Sequence, residues 1–284
     1  MSLPRYMTSE ARSPFDPRLI FGVVAAAVLA FLAFVVLAAY AGDFRSGRDG
    51  RAHALSVSAV GFKGLVDLIG YSGGDAYLAR SPEELETEDL VVTTVDGRTD
   101  AEALAELLEL RGARATLVVL PKWTTQPHPL RRSWVTRTGH ASPAMVQASL
   151  PEDFGIELGQ AEGRGGRIEG RDFLEGLSFP APEVTRTIAG DGLQTLLAAP
   201  GGDAVLARVG GKGNVYILAD PDLLNNHGLK QRETASAALR LVRELNSTEA
   251  EAVVFDLTLC GFESRPSVLK LALQPPFLAL TAAL

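Results

Sequence analysis

The chain has 284 residues, a formal net charge of −7 from 27 Lys and Arg against 34 Asp and Glu, and a single cysteine, Cys260. This acidic balance gives nucleic-acid binding no electrostatic footing, because such binding rests on neutralising phosphates. One cysteine excludes an internal disulfide framework and leaves the redox compartment open.

Residues 1–18 form a tail that contains Arg5, Arg12 and Arg18. Leu19 to Ala41 then run without a charged or strongly polar side chain. At a rise of about 1.5 Å per residue such a helix spans the roughly 30 Å hydrocarbon core of a bilayer. The segment reads as an uncleaved transmembrane anchor. A cleaved signal peptide is the rival, with Ala39-Tyr40-Ala41 as its cleavage site, but signal h-regions run to roughly 7–15 residues. A core helix of a soluble domain would carry a polar stripe, and this run has none. Charge does not orient the span: Arg5, Arg12 and Arg18 precede it, and Arg45, Arg48 and Arg51 follow it.

Residues 42–52 are a linker rich in Gly, Arg, Asp and Ser. Ala59 to Ile69 has helical spacing and stops at Gly70. Ala76–Ala79 is a short strand, and Asp89–Val95 a stronger one. Asp100 opens a helix through Leu110 with Glu102, Glu106 and Glu109 outward, and Ala115–Leu120 is the next strand. Strand, helix and strand in this order make a βαβ unit, which requires a parallel sheet.

From residue 122 to about 186 the pattern dissolves into Gly, Pro and Arg, with Trp123 and Trp134 near the start. This reads as an insertion, a small β subdomain over one sheet edge, since long structureless loops are uncommon. Strands return at Gln194–Ala199, Ala204–Val209 and Asn214–Ala219, the last two joined by a glycine turn at 210–213. A helix from Gln231 to Leu245 and a strand from Ala252 to Leu257 complete the body. The expected fold is an α/β, three-layer αβα domain over residues 53–270, with a mostly parallel sheet and one antiparallel hairpin. Leu271 to Leu284 carries no charge, which suits the start of a second membrane helix, with the chain truncated there, or a tail lying on the membrane. A last strand or helix packed on the domain is the alternative.

Several motifs fail on context. Gly70-Tyr71-Ser72-Gly73-Gly74 matches the nucleophile elbow of hydrolases, but that chemistry needs strand, turn and helix, and here a helix comes first. Gly210–Gly213 lacks the upstream glycine and the Ser or Thr of a phosphate loop. His53, His128, His140 and His227 have no metal-ligand spacing, and no cofactor is expected. Cys260, after a strand, offers a nucleophile with His227 as base, yet strand, loop and glycine also suit a buried small hydrophobe. The best polar cluster is Asp220, Asp222, Asn225 and Asn226 with Asp256. Asp220 and Asp256 sit at the carboxyl ends of two strands, where open parallel sheets bind ligands, and they converge if those strands are neighbours. Capping of the following helix by Asp220 and Asn226 is the alternative.

GNVYILADPDLLNN, VVFDLTLCGF and RPSVLKLALQPPFLAL, with Gly64–Ile69, Val91–Val92 and Leu117–Leu120, resemble the domain-of-unknown-function 4350 (DUF4350) family. The resemblance implies a membrane anchor, a Rossmann-like, glutamine-amidotransferase-like domain, and a second membrane helix behind it. In that family the last strand leads into Phe-Asp-Glu and then His-Gly. Phe255, Asp256 and Gly261 fit, whereas Leu257 stands at the Glu and Cys260 at the His. The resemblance also implies a bacterial inner-membrane location, with residues 1–18 cytoplasmic and the domain extracytoplasmic, in an envelope-associated assembly near MoxR-type ATPases and von Willebrand-type membrane proteins. The expected function is a non-catalytic scaffold that binds a protein partner at Asp220, Asp222, Asn225, Asn226 and Asp256. A small-ligand sensor and a Cys260-dependent hydrolase or amidase are the alternatives.

Overall fold

The computed structural model describes residues 17–40, 47, 49–246 and 250–263. The tail 271–284, and with it the expected second membrane helix, lies outside the described residues, as does most of the linker. Helix α1 (Pro17–Tyr40) contains a stretch, Arg18–Leu37, long and apolar enough to cross a membrane. It belongs to a unit separate from the folded body, Arg45–Arg265.

The body is built on strands β1 (Asp75–Ala79), β2 (Leu90–Thr94) and β3 (Thr116–Val119), with α2 (Lys63–Tyr71) before β1 and α3 (Ala101–Arg111) between β2 and β3. Asp100 caps α3 by accepting the N–H of Glu102, as its place before the apolar run requires. The segment 122–192 carries β4 (Trp123–His128), β5 (Arg131–His140), α4 (Pro143–Gln147), β6 (Glu157–Glu162), β7 (Arg167–Gly170), β8 (Ser178–Pro180) and β9 (Val184–Ala189). The chain continues through β10 (Leu193–Ala198), β11 (Ala204–Val209), β12 (Val215–Leu218), α5 (Asn226–Leu229), α6 (Arg232–Leu245) and β13 (Ala252–Asp256).

Strands β1, β13, β2, β3 and β12 lie side by side in that order and are parallel. The side chains of the inner four, β13, β2, β3 and β12, alternate between two buried faces. Leu90, Val92, Leu117, Val119, Val253 and Phe255 join Leu65 and Ile69 of α2 and Ala238 and Leu241 of α6. Val91, Val118, Ile217 and Val254 join Leu104, Leu107 and Leu108 of α3. Burial on both faces is why these strands read as unbroken apolar runs rather than alternating ones.

Beyond β12 the sheet turns antiparallel through β11 and β10. Here the insertion departs from expectation. It is not a separate β subdomain, because β7 pairs with β10 and β9 with β11, so β6–β9 extend the main sheet to 11 strands. Only β4 and β5 stand apart, as a two-stranded ribbon of their own. The partners of β7 and β9 lie beyond intervening loops, and no local periodicity announces them. Helix α2 also starts later than expected, since residues 59–62 form a loop in which Gly61 presses against the Ser56 backbone.

One buried cation ties the amino ends of β2 and β3 to their approach loop. Arg111, fully buried, donates to the carbonyls of Leu85, Asp89 and Ala115 and to the Thr116 hydroxyl, and it also bonds the carbonyl of Thr87. Burial lowers its pKa to about 10, still far above neutrality. Arg111→Leu leaves several buried carbonyls without donors and should cost at least about 3 kcal/mol. Arg111→Lys should recover little of that, because an ammonium cannot reproduce the planar fork. Urea unfolding of the detergent-solubilised protein, followed by circular dichroism, measures both; a loss under about 1 kcal/mol in Arg111→Leu would contradict the assignment.

Candidate functional site

The carboxyl ends of β3 and β12 lie next to each other, and the residues just past them meet. Pro121 ends β3 and turns the chain so that Lys122 points inward; Asp220 and Asp222 follow β12. Lys122 Nζ donates to Asp220 Oδ2 at 2.7 Å and to Asp222 Oδ2 at 2.8 Å, and all three side chains are buried. Trp123 Nε1 donates to Asp222 Oδ1 at 2.9 Å, and Asn225 Nδ2 to the same atom at 2.8 Å. Asp220 also accepts the backbone N–H groups of Arg186 and Asp222, at 2.9 and 3.0 Å.

The two carboxylates are not equivalent. Burial pushes Asp220 up to about 6, with the neighbouring Asp222 adding to the rise and Lys122 opposing it. Burial also acts to raise Asp222, but Lys122, Trp123 and Asn225 outweigh it and hold this group below the ordinary carboxylate range. Asp222 is the ionised partner of Lys122, and Asp220 is the member of the pair that accepts a proton first. Arg186 is buried beside them; its Nη2 donates to the carbonyl of Ala141 at 2.7 Å, while Nε and Nη1 have no partner among the described residues.

The sequence-derived cluster therefore divides. Asp220, Asp222 and Asn225 come together as expected. Asp220 also caps the single turn Pro221–Leu223, and it is Asn225, rather than Asn226, that caps α5 through the Gly228 N–H. Gly228 is forced here, because any Cβ would collide with the Asp222 carbonyl oxygen. Asn226 points elsewhere: its Nδ2 donates to the carbonyls of Ser56 and Ser58 and its Oδ1 accepts from Gly64, fixing the loop before α2. Asp256 does not join the site. Strands β12 and β13 are separated by β3 and β2, so the convergence that required neighbouring strands fails. Asp256 instead accepts from Thr93 and from the Thr258 hydroxyl and backbone, and burial raises its pKa.

Cys260 is buried against Thr94, and burial, reinforced by Asp256, pushes its thiol up to about 12. His227 lines a different region with Lys122 and Asp222, and no hydrogen bond joins it to Cys260 among the described residues. The thiol therefore lacks both the base and the ionisation that nucleophilic catalysis needs. Among the described residues no three His, Cys, Asp or Glu side chains converge as metal ligands would.

Above the ion cluster opens a cleft of about 360 Å³, lined by Trp123, Arg137, His140, Asp222, His227 and Gln231, among others. Arg137 stacks on Trp123 at 4.4 Å, and the ring of His140 lies 4.5 Å from it. Shielding from solvent, with Arg186, Lys122 and Arg137 nearby, lowers the pKa of His140; shielding likewise lowers His227. Both imidazoles are neutral at pH 7. Lys122, Trp123, Arg137, His140 and Arg186 were not candidates from sequence, because they lie in the insertion where no pattern is legible. Only the isolated apolar-to-basic step at Pro121-Lys122-Trp123, directly after a strand, marks them.

The DUF4350 domain-of-unknown-function family model matches residues 54–242, more than half of the chain. The chain belongs to this family. The matched DUF4350 region contains the whole Lys122–Asp220–Asp222 cluster and the cleft, and excludes Asp256 and Cys260. No curated protein matches the chain. Among solved structures, the exo-β-1,4-mannosidase Op5Man5 from Opitutaceae bacterium strain TAV5 aligns at 18% identity and a TM-score of 0.34, over 60% of this chain and 27% of that protein's length. At that score the likeness carries no argument.

The inequality of the carboxylates sets a pH dependence. Asp220 has a raised native pKa, so the native state holds a proton that the unfolded chain releases, and stability increases as pH falls toward 5. Asp256 acts in the same sense. His140 and His227 act oppositely, but both are exposed and weigh less. Between pH 7 and 5 the native protein should gain about 1 kcal/mol over Asp220→Asn in urea unfolding. A gap independent of pH would show that Asp220 is ionised throughout.

Proposed function

We propose that this DUF4350 protein is a membrane-anchored binding domain that performs no chemistry and offers its cleft to a protein partner in a bacterial envelope-associated assembly. The supporting observation is how the ionisable groups at the carboxyl ends of β3 and β12 are used. Lys122 is held by two carboxylates, Asp222 by three donors, and the one thiol is protonated. What faces outward is a recognition surface: Arg137 on Trp123, two neutral imidazoles and Gln231. Helix α1 is the anchor in this reading. The family resemblance points to a MoxR-type ATPase system, a Rossmann-like or amidotransferase-like ancestry, and an extracytoplasmic domain at the inner membrane.

Filling the cleft separates recognition from folding. His227→Trp, at an exposed position on the cleft wall, should abolish any larger complex that the native protein forms in gently solubilised membranes, while its melting temperature stays unchanged. A native protein that migrates alone, or a complex that survives the substitution, would sink the partner-binding reading. The cleft also has the size of a small-molecule site, which favours a ligand sensor as the second reading. Saturating ligand at about 100 times its Kd would then stabilise the domain by about 2.7 kcal/mol, visible as a thermal shift.

The side of the membrane has its own test. Asp203→Cys places a thiol in the exposed turn between β10 and β11, while buried Cys260 stays silent. Labelling of intact cells by a membrane-impermeant maleimide is expected. Labelling only after lysis would put the domain in the cytosol, in reach of an ATPase.

A further inference from the structure

The ribbon of β4 and β5 is unlike the rest of the molecule. Among the described residues its strands pair only with each other. At its tip Leu130 is 89% exposed and Trp134 is 54% exposed. Arg131 lies over the Trp134 ring at 4.4 Å, and His128 meets the same ring edge-on.

Charge is as unevenly placed as apolar surface. The chain carries −7 overall, yet no Asp or Glu occurs from Leu110 to Pro151, while Arg131, Arg132 and Arg137 all fall in β5. Among the described residues neither Arg131 nor Arg137 forms an ion pair; both stack on tryptophan instead. An exposed leucine, an amphipathic tryptophan and the arginine stacked on it match the chemistry of an anionic membrane surface: acyl boundary, headgroup level and lipid phosphates. A free phosphate or a small anion would need an enclosing site, whereas Leu130 and Trp134 stand exposed here.

We propose that the β4–β5 tip is a second membrane contact, which docks on a bilayer of anionic phospholipid. Leu130 and Trp134 enter the interface, and Arg131 neutralises headgroup phosphates. The inference rests on the bilayer-spanning reading of α1. Ten residues separate Tyr40 from Arg51, so a fully extended linker reaches at most ~35 Å from the membrane. That length keeps the surface within range of the body.

The test uses the full chain in liposomes, and its two tryptophans both lie in this ribbon. The chain is reconstituted into neutral phosphatidylcholine vesicles and into vesicles that also contain phosphatidylglycerol, each with a headgroup-depth spin-labelled lipid as quencher. Tryptophan quenching is expected in the anionic vesicles alone. It should fall to the neutral-vesicle level in Trp134→Phe, in Arg131→Gln, in Leu130→Ser and at high salt. Equal quenching in both vesicle types, or none in either, overturns the proposal. So does an emission shift produced by soluble polyglutamate and not by anionic vesicles, which would assign the tip to an acidic protein. Flotation distinguishes this failure from the other: a chain stripped from neutral vesicles by alkaline carbonate refutes the anchor, whereas one that stays embedded with Trp134 unquenched refutes only the docking tip.

Discussion

The buried bridge from Lys122 to Asp220 and Asp222 is the constraint on which the rest of the site depends. Removing three charges from water is expensive, and their mutual attraction offsets the cost only where hydrogen bonds satisfy the remaining atoms. Here they do. Asp222 accepts from Lys122, Trp123 and Asn225, and Asp220 from Lys122 and two backbone N–H groups. These donors come from the junction of β3 and β4, from β9 and from the loop after β12, three segments far apart in the chain. Deleting Lys122 alone would strand two carboxylates in the interior, and so the cluster fixes the arrangement of those segments more than it adds net stability.

That arrangement explains why the sheet changes character where it does. On the parallel side, helices pack on both faces and the inner strands are buried along their whole length. On the antiparallel side, β9 comes back to β11 at one residue pair, Ala204 with Ile188, and presents the Arg186 N–H to Asp220. The insertion is thus stitched into the body twice, by sheet pairing and by the ion cluster. The cleft lies between the insertion and the loop carrying α5, whose walls are joined at its floor by the bonds from Lys122 and Trp123 to Asp222.

How much of this is legible in the sequence follows from which forces are local. Helix α3 is legible because Asp100 at its cap and Leu104, Leu107 and Leu108 on one face lie within a few turns of each other. Strands β2, β3 and β13 are legible because burial on both faces makes them continuous apolar runs. Asp220, Asp222 and Asn225 stand out as a polar group at a strand's end. What could not be read was the partner set. Lys122 lies 98 residues before Asp220 in the chain and Arg186 lies 34 before it. The separation of β12 from β13, which excludes Asp256, is a property of strand order and not of either strand.

The ribbon formed by β4 and β5 depends on the same ion cluster, through Trp123. A two-stranded hairpin is marginally stable in water on its own, and among the described residues this one has no third strand. Its order is supplied at the root, where Ala141 N donates to the Lys122 carbonyl and Trp123 is held by Asp222. The same tryptophan carries Arg137 on its ring and His140 beside it, and so forms part of the cleft wall. Tip and cleft therefore lie at the two ends of one ribbon whose root is held by the ion cluster and by the bonds at Ala141. Weakening the cluster would loosen both at once, whereas a change confined to the tip leaves the root bonds intact.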